Sequence, residues 1–550
     1  MPNPSLIQPE STILSLTSTA KDLFRIIYQE HNKAGDEGKS NAPKIRVNDI
    51  VSKMSFFYEK IRNAVDYKDD HLLRKNGIER ILKRLSLMGH HEPHDVANML
   101  VVELIRAGYL KNNTVLETKV EEIALIVERF LHLRDAVLEM EKINRKDGDE
   151  IRKWIWNLAA TNIEENLVNH SVNHVIGKHM FTLINDNIID DEDDPEFSRD
   201  KKIQIYVAIY SKLFNYDGPM LEFLLFRYFN PHWYKASDDD ITAIAQQYNE
   251  LRDVSYQQLN HPFRKQVTKI ANQYTIYFSI LKDVIMESPE GAYDKLKGNP
   301  LQFKKLVEKI CNRRYKESRS KLSRGAIRSI IYIFITKAAL VFVLEAPVIL
   351  FLGGEVNTFA LAINVLFPPM LLFFIIMLTY VPGAENTKQI YRGIEEIVFN
   401  EEVSDRTIKL RYPTSRSEAS SMLFGFLYTV TFLFTFGLVI GGLTIINFHF
   451  VSMVIFLFFL SLISFFGIRL GKIARTYNVV EYKENAFSFI LNFFYVPIVS
   501  MGKWLSETFS QINVFVFILD FIIESPFKIF VEITEQWSKY VKERKEGIVE

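Results

Sequence analysis

Lys337, Glu345 and Asn364 stand where polar side chains are costly, inside two long apolar stretches, Ile327–Leu352 and Asn357–Val381. An ionisable group in hydrocarbon costs several kcal/mol unless it is paired or hydrated, which makes it a functional candidate. Glu345 lies seven residues before the end of the first stretch, and Asn364 seven after the start of the second. At the helical rise both sit about 10 Å from the ends that adjoin, so a tight antiparallel pair brings them face to face. Pro368 and Pro369 supply no N–H, so the carbonyls of Asn364 and Val365 lose their helical partners, and Pro347 does the same to Val343. Lys337, Glu345, Asn364, Pro368 and Pro369 therefore compose a candidate intramembrane polar site. Glu345, the Asn364 amide and the freed carbonyls form an oxygen-rich pocket suited to an ion or a proton. The competing reading is a protonated Glu345 bonded to Asn364 at a packing kink. Lys337 is about 12 Å along the axis from Glu345, too far for easy pairing within one straight helix. The other three apolar stretches hold no acid, so its expected partner, if the C-terminal segment inserts, is Asp520 or Glu524.

Other clusters carry less chemistry. GHHEPHD (Gly89–Asp95) holds His90, His91, Glu92 and His94, but neighbours in a turn diverge and a metal needs three or four convergent ligands. His170 and His174 share a helical face as an i,i+4 pair and are weak metal candidates. Glu164 and Glu165 are not at i−3 or i−4 of His170, and the pair lacks the intervening Glu of a metalloprotease helix. The run DDEDDPE (Asp190–Glu196) lacks the carboxylate spacing and central Gly of a calcium loop and reads as a solvated, helix-capping segment. No phosphate-binding GxxxxGK[ST] loop, dinucleotide GxGxxG or nucleophile GxSxG occurs. The sequence thus points to no enzyme, cofactor or resident metal. Its 66 basic and 66 acidic residues balance, which gives no reason to expect nucleic acid. The single cysteine, Cys311, excludes an intramolecular disulfide.

The elements that position the polar site follow from hydropathy. Four stretches are long enough to cross a hydrocarbon core of about 30 Å: the two named above, Ser421–Asn447 and Phe450–Leu470. Of 43 Phe residues, 22 lie between Phe424 and Phe530, so the aromatic content belongs to this part of the chain. Lys and Arg set the orientation. Seven lie just before the first stretch (Arg313, Arg314, Lys316, Arg319, Lys321, Arg324 and Arg328), six follow the second (Lys388, Arg392, Arg406, Lys409, Arg411 and Arg416), and Arg469, Lys472, Arg475 and Lys483 follow the fourth. The links near Gly353–Glu355 and Phe448–His449 hold none. Two tight hairpins in the cell membrane, with both termini cytoplasmic, satisfy this pattern. The opening residues show no basic segment followed by an apolar run, so the first span is expected to direct insertion. The seven cations before the first span can also grip anionic headgroups.

The expected fold is all-α. Residues 1–312 form a soluble helical cytosolic region with a sub-boundary near 190. Residues 313–326 are a basic membrane-proximal segment, 327–382 and 421–470 the two hairpins, and 383–420 a cytosolic connection. Residues 471–550 hold interfacial or re-entrant helices and a basic tail. A third hairpin is the alternative there, because Ala486–Met501 and Ile512–Ile523 are apolar but short. In the soluble region Val120, Ile123, Val127, Phe130 and Leu131 mark one helical face. Asp95 is placed to cap the helix ending before Gly108. Other helices are expected near Glu150–Ile184, Lys201–Phe214, Asp238–Asp253 and Phe263–Met286. The leading functional expectation is a membrane-anchored scaffold or interaction protein whose partners are the lipid bilayer and cytosolic proteins, with self-association as a further possibility. The second is a transporter or channel using the polar site.

Overall fold

The period of the apolar residues dictates helices throughout, and helices are what the structure contains. It is a computed structural model. It describes residues 17–37, 43–47, 69–89, 92–140, 145–168, 170–189, 194–287, 300–355, 357–399, 408–412, 417–480 and 486–511, with single positions within 55–62 and 533–544. Among these every regular element is helical, and β pairing is limited to two isolated bridges. The chain divides into two compact units, one of Met1–Tyr293, Ile397–Tyr412 and Phe515–Glu550, the other of Asp294–Glu396 and Pro413–Val514.

In the first unit the helices are α1 (Ser18–Glu37), α2 (Asp70–Leu87), α3 (Pro93–Arg106), α4 (Thr118–Met140), α5 (Arg145–Leu167), α6 (Ser171–Asn187), α7 (Pro195–Lys212), α8 (Gly218–Phe229), α9 (Asp238–Gln246), α10 (Tyr248–Leu259) and α11 (Arg264–Glu287). The expected face of α4 is buried: Ile123, Val127 and Phe130 are fully enclosed. Phe130 and Phe226 both pack on Trp233, at ring distances of 4.8 and 4.9 Å. The expected Asp95 cap is not made. Pro93 occupies the first turn of α3, so Glu92 takes the cap position and Asp95 falls inside the helix. Gly108 just beyond it has φ +78°, the left-handed geometry that a helix stop favours.

Two expected long helices are each broken. Glu150–Ile184 becomes α5 and α6, and Asp238–Asp253 becomes α9 and α10. α8 was not expected, because it lacks a polar face: Met220, Leu221, Phe223, Leu224, Leu225 and Phe226 are all buried, and periodicity cannot reveal a helix enclosed all round. Asp217 caps it by accepting the N–H of Met220. Lys201 of α7 is buried and donates to the carbonyl of Ile188, just past the end of α6, where a cation complements the helix dipole. Residues from the 397–412 segment return to this unit. Ile408 bridges to Ile188, the Arg411 N–H donates to Gln266, and Tyr412 lies 4.5 Å from Phe263.

The second unit holds α12 (Pro300–Leu340), a π turn (Val341–Glu345), α13 (Ala346–Phe351), α14 (Thr358–Met377), most of α15 (Ala384–Phe399), α16 (Glu418–Ile445), α17 (Phe450–Ala474) and α18 (Ala486–Gln511). Among the described residues, four helical segments are long and apolar enough to cross a membrane: Pro300–Phe351, Thr358–Met377, Glu418–Ile445 and Phe450–Ala474. α17 packs against α12, α14 and α18. Small residues permit this. A Cβ on Gly467 would lie 2.9 Å from Ile375, and one on Gly502 only 2.0 Å from the Ser461 carbonyl oxygen. α18 runs well beyond the apolar segment read from the sequence, because its packing on α16 and α17 continues the helix through Lys503 and Glu507.

Candidate functional site

The polar residues of the apolar bundle converge. Lys337 near the end of α12, Glu345 at the end of the π turn and Asn364 in α14 are all fully buried. The Asn364 amide donates to Glu345 Oε1 at 2.7 Å and reaches the Ser452 carbonyl of α17 at 3.5 Å. Lys337 Nζ lies 4.0 Å from Glu345 Oε2 and 4.4 Å from the centre of the Phe459 ring. That contact is a cation–π interaction strengthened by burial away from bulk solvent.

The Lys337–Glu345 contact differs from the sequence expectation, and the backbone supplies the reason. Eight residues of regular α-helix leave two side chains about 80° apart around the axis. Here the Ala346 N–H bonds to the carbonyl of Val341, five residues back. This wider turn rotates less per residue and swings Glu345 toward the face that carries Lys337. Pro347 accounts for its position, since a proline ring clashes with the carbonyl four residues before it and a π turn relieves that clash. The long lysine stem covers the remaining axial distance. Asp520 and Glu524, the expected partners, lie outside the described residues.

Pro368 and Pro369 are buried within α14, which remains continuous across them. Asn364 turns its N–H, not its oxygen, toward the carboxylate. The locus is therefore an acid and a base in ion-pair contact, with the acid hydrogen-bonded to the Asn364 amide, where the sequence suggests an oxygen-rich pocket. Among the described residues, Lys337 Nζ, Glu345 Oε2 and Asn364 Oδ1 are buried and make no hydrogen bond. Chemically, the site presents one acid and one base, close together and buried in an apolar setting.

The basic stretch forms one face of α12. Arg313, Lys316, Arg319, Lys321, Arg324 and Arg328 are exposed and Arg314 is half-buried beside Glu317. Cys311, Tyr315, Ser318, Leu322 and Ala326 turn inward. Tyr315 is anchored by hydrogen bonds from Asn386 and Thr387.

The histidine pair separates. His170 Nε2 lies 3.4 Å from Glu164 Oε2, a contact made across the α5–α6 turn that residue spacing on one helix does not reveal. His174 Nδ1 is 3.0 Å from the Tyr210 hydroxyl. Among the described residues no three metal-ligating side chains converge. Burial pushes the Glu164 carboxyl up, but the hydrogen bonds and charges of His170 and Arg74 outweigh it and hold the group below its usual range. Glu165 accepts from Arg227 at 2.7 Å and Tyr216 at 3.0 Å, so these two neighbouring acids anchor a buried network drawn from α2, α5, α8 and the connecting turns. Sequence reading missed this network because its members are far apart along the chain. His94 is exposed beside Glu121, while His90, His91 and Asp190–Asp193 lie outside the described residues.

No family model, curated protein or solved structure matches the chain.

Proposed function

We propose that this chain is a multi-pass membrane protein whose N-terminal helical unit is a cytosolic platform for partner proteins. The observation that carries the topology is the return of Ile408–Tyr412 to the N-terminal unit. The segment between the second and third apolar helices and the N-terminal unit then share one side of the membrane, with one hairpin between them. The basic flanks support the cytosolic assignment for that side, and the exposed cationic face of α12 suits anionic headgroups. Exposed Tyr228, Tyr234 and Tyr256 on and beside α8 and α10 are the residue type that protein interfaces favour.

The same logic favours a third hairpin over an interfacial C-terminal segment. The Val479 and Val480 N–H groups donate to Asn386, which follows the inner end of α14, so the chain enters α18 from the inner side. Gly502 abuts Ser461, midway along α17. Nine more residues, about 14 Å, carry α18 to within one helical turn of the level of Phe450, with Lys503 and Glu507 paired on the way at 3.7 Å. Ile512–Ile523, which would return, lies outside the described residues.

Single cysteines placed in a Cys311→Ala background test this topology. Gly354→Cys, Asn447→Cys and Gln511→Cys should react with an impermeant maleimide on intact cells, and Lys409→Cys only after permeabilisation. Labelling of Gly354→Cys and Lys409→Cys from the same side would overturn it. Crosslinking in membranes should capture protein partners through the N-terminal unit, and a chain recovered alone at every crosslinker length would remove the platform reading. A second reading, transport, is favoured by one observation, the buried Lys337–Glu345–Asn364 locus.

A further inference from the structure

We propose that Lys337 and Glu345 are a proton-transfer couple that carries protons through the apolar bundle, with Asn364 as the positioning residue. This deepens the transport reading of the same site and rests on it.

Three observations point to the proton rather than a metal cation. A fixed ammonium already stands 4.0 Å from Glu345 Oε2 and would repel a metal ion. The Asn364 group facing the carboxylate is a donor N–H, whereas a cation shell needs oxygens. Among the described residues the Lys337 ammonium and Glu345 Oε2 make no hydrogen bond, so neither is committed to a structural partner that proton transfer would break. The 4.0 Å separation exceeds hydrogen-bond reach by about 1 Å, a gap that a side-chain adjustment or one intervening water closes.

Among the described residues, the helices packed on the first span offer the proton no competing site. α14 presents Asn364 and no ionisable side chain before Tyr380 at its inner flank. α17 presents Ser452 and Phe459 and no ionisable side chain from Phe450 to Phe466. On the first apolar helix the nearest other charge is Arg328, nine residues before Lys337. The two groups also differ in depth. Glu345 lies about 10 Å from the outer end of its span, and Lys337 is near the middle, about 15 Å from the inner end.

The cycle balances with no other reactant. From the ion-paired state, a proton arriving from the outer side forms an O–H bond at Glu345 Oε2, leaving a neutral acid beside an ammonium. The ammonium releases a proton toward the inner side, and Nζ keeps the electron pair. The Glu345 O–H bond then breaks, an N–H bond forms on Lys337, and the ion pair is restored. One proton has crossed. Asn364 holds Glu345 Oε1, so that Oε2 is the oxygen that faces Lys337.

The test uses the full-length protein in liposomes loaded with a pH-sensitive dye, with potassium and valinomycin to balance charge. Wild type should dissipate an imposed pH gradient faster than protein-free vesicles. Glu345→Gln and Lys337→Met should each slow this by about a hundredfold. The double variant Lys337→Met/Glu345→Gln leaves no unpaired buried charge. It should elute and melt as a folded protein yet remain inactive, which separates lost chemistry from lost folding. Asn364→Ala should slow flux less and displace its pH profile, an effect that a purely structural role would not produce. Parallel vesicles with sodium or potassium indicators distinguish the two levels of the argument. Metal-cation flux without proton flux would overturn the proton assignment and leave transport standing. Absence of both fluxes, or proton flux unchanged by Glu345→Gln, would remove the site from transport altogether.

Discussion

Acid should weaken the N-terminal unit through one histidine. His179 on α6 is 2% exposed, lies edge-on to Phe278 at 5.2 Å, and neither ring nitrogen has a hydrogen-bond partner among the described residues. Burial alone lowers its pKa from 6.5 to about 4. The folded state therefore keeps the ring neutral where the unfolded chain takes up a proton. Between those two values the unfolded state binds more protons, so stability falls as pH falls, by about 1.4 kcal/mol per pH unit. Across the window the loss sums to about 3 kcal/mol, and above pH 6.5 the residue has no effect. Denaturant unfolding of the full-length protein in detergent, followed by the fluorescence of Trp154, Trp156 and Trp233, measures this at several pH values. His179→Leu cannot titrate, and its stability should fall less than that of wild type from pH 6.5 to 4, with the difference approaching the same 3 kcal/mol. Glu164 and other acids titrate in both proteins and cancel in the comparison. Parallel pH curves for the two proteins would refute the assignment of a buried neutral imidazole.

Three further perturbations probe separate contacts. Breaking the buried pair with Lys337→Met or Glu345→Gln should cost about 3–5 kcal/mol each, while the double substitution recovers most of it, read as thermal unfolding in detergent. Gly502→Val places a Cβ within 2.0 Å of the Ser461 carbonyl oxygen, so α18 must move off α17; an overpacking loss of at least about 1–3 kcal/mol and faster proteolysis near α18 are expected. Substituting Arg313, Lys316, Arg324 and Arg328 by Gln should reduce preference for anionic over neutral vesicles by about 1 kcal/mol per charge near the surface, measured as vesicle partitioning of the detergent-released protein.

The apolar helices were legible because a membrane span must be apolar on every face for about 20 residues, a signal that needs no tertiary information. The meeting of Glu345 with Asn364 was legible too, because depth can be counted from a short hairpin link. The approach of Lys337 to Glu345 was not, since it depends on a π turn that alters the rotation per residue, and Pro347 suggests strain without specifying how the backbone relieves it. α8 escaped notice because enclosure on all sides erases amphipathic period. The Glu164–His170–Arg74 contact escaped because Arg74 is 90 residues from Glu164 and His170 meets Glu164 across a helix break that spacing on one helix does not reveal. Apart from the π turn, which Pro347 places locally, the deciding interaction in each miss is one that tertiary packing creates.

The helical segment from Pro300 to Phe351 is 52 residues long and changes character only at its π turn. Between Arg313 and Lys337 it runs as unbroken α-helix, with each turn clamped to the next by backbone hydrogen bonds. A shaft of this kind twists and tilts as one piece. A rotation that draws Lys337 toward or away from Glu345 must turn the arginine-rich face by a similar angle, and under the lipid contact proposed above bound headgroups would resist it. On that proposal, lipid charge on one side and the acid–base pair in the interior would be geared to a single axle, whose regular winding is interrupted at the π turn.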